Sequence, residues 1–95
     1  MDTYHLPAAA LPLVDWSTRY AAQHRLWPAA APGGTDLTPR DAAHVIRTID
    51  VVCDRAPSSE LPFEQYAALD ELAAGLADWL RHVSTGLIPR VTAEN

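Results

Sequence analysis

From Thr38 to Val83 apolar side chains return every three or four residues, and the return is interrupted once, at Pro57-Ser58-Ser59-Glu60. That spacing places them on one side of an α-helix. The connection is short, so the segment reads as two helices folded into an antiparallel hairpin. Thr38-Pro39-Arg40-Asp41 marks the first start: Thr38 caps, Pro39 suits the first helical position, and Asp41 reaches back to the cap and favours the positive dipole end. This helix, 38–56, carries Ala42, Val45, Ile46, Ile49, Val52, Cys53 and Ala56 on one stripe. The next, 61–86, opens at Pro62 and carries Tyr66, Leu69, Leu72, Ala73, Leu76, Leu80 and Val83, with Trp79 on the flank. Gly86 fits a left-handed stop, and Pro89 prevents resumption.

Upstream, Leu13, Trp16, Tyr20, His24 and Trp27 give a shorter stripe, which predicts a helix over 12–27 ending at Pro28. Residues 28–37 read as a linker, 1–11 as an extended or loosely ordered arm, and 87–95 as a tail. Ninety-five residues form one domain, 1–95, and all long apolar segments share its core. The fold expected is all-α: a small three-helix bundle built on a long antiparallel helical hairpin.

A net charge of −5, with seven scattered Arg and no Lys, argues against a partner held through phosphates. Neither nucleic acid nor a membrane is therefore expected as partner. Arginine without lysine and abundant alanine suit a GC-rich bacterial genome. The single Cys53 excludes an intrachain disulfide, and no run reaches the length of a membrane span, so a reducing cytoplasm is the expected compartment.

Helix geometry decides where each chemically capable side chain points. Asp41 with His44, and Asp78 with His82, have metal-like spacing at one end of the hairpin. At 100° per residue His44 falls roughly 135° from the core stripe, and Asp78 and His82 roughly 165° and 125°, so all point away from the shared core. No metal and no cofactor is expected. Cys53 lies mid-helix in the helix–helix seam, where nothing lowers a thiol pKa, and is read as buried and inert. Gly33-Gly34 follows no strand and lacks the lysine of a phosphate loop.

Arg19-Tyr-Ala-Ala-Gln-His24 resembles the Arg-x4-His motif of HEPN-type ribonucleases; the resemblance implies an alternative in which Arg19 and His24 act on an RNA backbone. Tyr66-Ala-Ala-Leu-Asp70 is similar to the Tyr-x3-Asp pattern of small secreted WXG-type proteins, but 55–62 lacks their Trp-x-Gly turn, and Tyr66 is read as core.

What remains is surface. Glu64, Glu71 and Asp78 recur every seven residues on the outer side of the third helix, Glu60 joins them if that helix extends back, and Ala67, Ala74 and Gly75 flatten the same side. An exposed mid-helix Gly costs about 1 kcal/mol relative to Ala, and close approach of another helix would give it a purpose. Trp27 and Trp79 supply aromatic edges of the kind enriched in interfaces. The function expected is thus a non-enzymatic protein-protein interaction or regulatory module, binding itself or a helical protein partner. A helical nucleic-acid-binding regulator is the second alternative after the ribonuclease.

Overall fold

The computed structural model describes residues 2–87, with side chains placed as far as Val83. The described residues are mostly helical, with one two-residue antiparallel ribbon among them. The order is β1 (Tyr4–His5), a 3-10 turn (Ala8–Ala10), α1 (Leu11–Gln23), β2 (Asp36–Leu37), α2 (Pro39–Arg55) and α3 (Phe63–Leu87). α2 is central: it packs most extensively on α3 and next on α1, while α1 and α3 meet in few places.

α2 begins with a complete capping box. The Asp41 N–H donates to Thr38 Oγ1 at 3.1 Å, and the Thr38 N–H donates to Asp41 Oδ2 at 3.3 Å. Two of the donors that every helix start leaves unsatisfied are thereby paired. Ala42, Val45, Ile49 and Val52 are buried, while Ile46, Cys53 and Ala56 are half-buried. The stripe is thus turned toward Thr48, which is buried and donates from Oγ1 to the His44 carbonyl at 2.9 Å. Ala56 adopts extended backbone ahead of Pro57, as a residue before proline prefers, and this ends α2. In the turn that follows, the Pro57 carbonyl accepts from Glu60 and Leu61, each at 2.9 Å, and Leu61 enters the core.

In α3 burial is confined to Leu69, Ala73 and Leu76, with Leu72, Trp79, Leu80 and Val83 half-buried. Tyr66 is not core: it is 41% exposed. It sits at the edge of the buried face, roughly 50° around the helix from its centre, and Leu61 fills the core ahead of it. Gly86 lies inside α3, so it does not terminate the helix; Pro89 lies outside the described residues.

α1 buries Val14, Ser17, Tyr20 and Ala21 and leaves Trp16 half-buried and His24 exposed. The expected stripe of large residues is therefore rotated by about one position. Ser17 and Ala21 lie flush against the core, which small side chains permit by letting backbones approach, and Ser17 Oγ satisfies itself on the Val14 carbonyl at 3.1 Å. α1 stops at Gln23, four residues before Trp27. The Arg25 N–H donates to the Ala22 carbonyl at 3.2 Å and the Leu26 N–H to the Ala21 carbonyl at 3.0 Å, with Arg25 at φ 52°. This is a Schellman stop in which an arginine takes the left-handed position glycine usually fills.

The N-terminal segment is not a loose arm. Tyr4 pairs with Leu37 and His5 with Asp36, the Leu6 N–H donates to the Thr35 carbonyl at 2.8 Å, and Leu6 is 1% exposed. Leu6, Leu37 and Ala10 all belong to the core, so the arm is part of the folded body and anchors the chain on either side of α1.

Candidate interaction surface

On α3, Glu64, Ala67, Glu71, Ala74, Gly75 and Asp78 are all exposed, because they occupy the turn positions opposite Leu69 and Leu76. The flank carrying Gly75 and Trp79 is bordered by the arm. The Tyr4 ring meets Trp79 edge-on at 5.6 Å, and a Cβ placed on Gly75 would lie 3.8 Å from the Tyr4 hydroxyl. The neighbour beside Gly75 is therefore Tyr4 of the same chain. Asp78 accepts from Arg81 at 3.1 Å.

Trp27 stands apart from this face, in the segment after α1 and packed against α2. Its indole N–H donates to Thr48 Oγ1 at 2.9 Å, its ring lies 5.2 Å from His44, and the Arg47 guanidinium lies 5.3 Å from its centroid. His44 Nε2 accepts the Ala30 N–H at 3.1 Å. These contacts strap the segment after α1 onto α2, so Trp27 is a half-buried clasp.

At the other end of the α2–α3 pair lies an apolar cleft of about 320 Å³, lined by Cys53, Ala56, Ser58, Leu61, Phe63 and Tyr66. Phe63 is 80% exposed, the most open large apolar side chain among the described residues. Sequence periodicity passes over it because it precedes the first buried position of α3; the signal present was Pro62-Phe63, an aromatic set in a helix's first turn. Cys53 is half-buried at the cleft and not enclosed in the seam. Desolvation, then the charges of Asp70 and Asp50, push its thiol pKa up. Such a thiol is a poor nucleophile.

Arg19 and His24 have separate partners. Arg19 pairs with Asp15 at 2.7 Å, whereas His24 Nδ1 donates to the Tyr20 carbonyl at 3.0 Å and its ring stacks on Tyr20 at 4.0 Å. Glu60 lies in the turn, not on α3, and accepts the Tyr20 hydroxyl, tying α1 to the α2–α3 connection. That hydrogen bond, with desolvation and the Glu60 charge after it, raises the Tyr20 pKa. Among the described residues no three His, Cys, Asp or Glu side chains come together as metal ligands: Asp41 is in the cap, His44 in the strap, and Asp78 on Arg81. No described helix is long and apolar enough to cross a membrane.

No protein-family profile matches the chain, and no curated protein or solved structure is significantly similar to it.

Proposed function

We propose that the protein is a non-enzymatic interaction module of a bacterial cytoplasm whose α2 and α3 form an antiparallel hairpin presenting the outer face of α3 to a protein partner. The cleft between the end of α2 and the start of α3 supports the hairpin reading, since residues from both termini line it. The observation that carries the function is the make-up of the open face. Ala67 and Ala74 form a flat strip headed by the 80% exposed Phe63, between Glu64, Glu71 and Asp78 on one side and Asp70 on the other. Small residues let a second helix approach closely, and the aromatic supplies the anchor type that dominates interface energetics.

Four carboxylates set against the single Arg81 favour a basic partner over a second copy, because self-pairing brings like charges together. Ala74→Trp tests the reading, since a bulky side chain on an exposed position blocks docking without disturbing the core. Loss of a retrieved partner in an affinity pull-down, with the thermal melt unchanged, is the expected result. Retrieval of the same proteins by both forms, with both monomeric in sedimentation, refutes it.

A further inference from the structure

Two features sit together at the start of that face: the Cys53–Leu61–Phe63–Tyr66 cleft, and carboxylates on the helices around it. The cleft has no charged side chain in its lining, and at about 320 Å³ it is at the small end of ligand pockets, which run from about 300 to 1,000 Å³. Its chemistry and size suit an apolar side chain rather than a polar metabolite.

The rim is acidic from both helices. Asp50 on α2 and Asp70 on α3 are close enough to act electrostatically on Cys53, while Glu64 lies across Phe63 from the cleft, on the opposite side of the Ala67–Ala74 strip from Asp70. Arg55, the cation at the end of α2, is occupied by Asp54 at 3.6 Å, and no basic residue occurs between Glu60 and Leu80. We infer that this cleft seats an apolar anchor from an amphipathic helix of a partner protein, whose flanking Arg or Lys side chains meet Asp50, Asp70 and Glu64.

The inference rests on the interaction-module reading and assigns it a first point of contact. Ala67 and Ala74 continue the floor along α3, so a helix anchored between Phe63 and Tyr66 runs on over the flat strip. Burying the anchor gives affinity, and the carboxylates give orientation and salt dependence.

The probe is a synthetic amphipathic peptide of Leu, Ala and Arg, with a control in which every Arg is Glu. Binding is read by amide chemical shifts and by the rate at which a thiol reagent alkylates Cys53. The Arg peptide is expected to shift residues 53, 56, 61, 63 and 66, to slow alkylation, and to bind less well as salt rises, while the Glu peptide leaves all three unchanged. Phe63→Ala, which removes an exposed side chain and leaves the fold intact, should weaken binding about tenfold or more, and Tyr66→Ser should weaken it less. Equal binding of the Arg peptide to wild type and Phe63→Ala, or unchanged alkylation at saturation, overturns the cleft. If that Phe63-independent binding is abolished by Ala74→Trp, the module reading survives without the cleft. No binding to wild type sinks both.

Discussion

Leu6→Ala tests whether the N-terminal segment belongs to the cooperative unit. Leu6 is 1% exposed, its N–H is held by Thr35 at 2.8 Å, β1 pairs with β2 just before it, and the 3-10 turn follows. Main chain fixed on both sides limits how far the site can collapse around a missing side chain. Buried Leu→Ala changes cost about 2–5 kcal/mol, rising as the site collapses less, and we take about 3 kcal/mol as the least this one should cost. For a domain of this size each kcal/mol moves the melting temperature by about 4–8 °C, so a fall of about 12–24 °C or more is expected by circular dichroism or calorimetry. His5→Ala is the control. Its pairing with Asp36 at 2.9 Å lies in solvent, where such pairs contribute about 0–1 kcal/mol. A fall of less than about 4 °C for Leu6→Ala, with the Leu6 amide exchanging freely, would show a segment that detaches alone, and would refute the reasoning.

Thr38→Ala should cost about 0.5–2 kcal/mol by urea unfolding, because it removes the acceptor for the Asp41 N–H; an unchanged midpoint rejects the cap. Arg25→Gly should stabilise, since Arg25 holds φ 52° and a non-glycine residue there costs about 1–2 kcal/mol, part of which glycine returns through its freer unfolded chain. Any loss of stability counts against the Schellman assignment. Gly75→Ala should raise stability by up to about 1 kcal/mol, because the added Cβ meets Tyr4 at an ordinary contact distance of 3.8 Å; a lower melting temperature would mean that Tyr4 sits closer. Tyr20 and Cys53 both hold their protons more tightly when folded, so their contribution is complete below the unfolded pKa values and is lost as pH rises through the folded ones. Stability should therefore decline above about pH 8.5–10, with Tyr20→Phe flattening the upper part; a flat urea midpoint through that window rejects both shifts.

How far the fold could be read depends on whether its determinants are local. α2 was legible to the residue because Thr38, Asp41 and Pro57 act within one turn of its ends. α1 is legible in position but not in rotation: the periodicity follows the large side chains, whereas the packing uses Ser17 and Ala21, whose value lies in being small. Its stop was hidden because Arg25 occupies the left-handed position without advertising it. The ribbon was invisible, since two-residue strands have no period and their partners lie 31 or more residues away. On α3 the exposure of Glu64, Ala67, Glu71 and Ala74 follows from the stripe opposite them. The Phe63–Tyr66 cleft does not, because apolar residues at the edge of a stripe look like core until the helix end is located.

The three tryptophans are divided among the three joints of the molecule. Trp16 rests at 5.1 Å against Tyr20, whose hydroxyl ties α1 to the α2–α3 connection, Trp27 fastens the strap to α2 through Thr48, and Trp79 lies under Tyr4 of the arm. The chain thus carries its own optical reporters. Replacing two of them with phenylalanine, in each of the three combinations, leaves a single tryptophan, whose wavelength and brightness follow the wetting of its own surroundings as denaturant is added. The order in which the molecule loosens is then readable by light, with no dye attached.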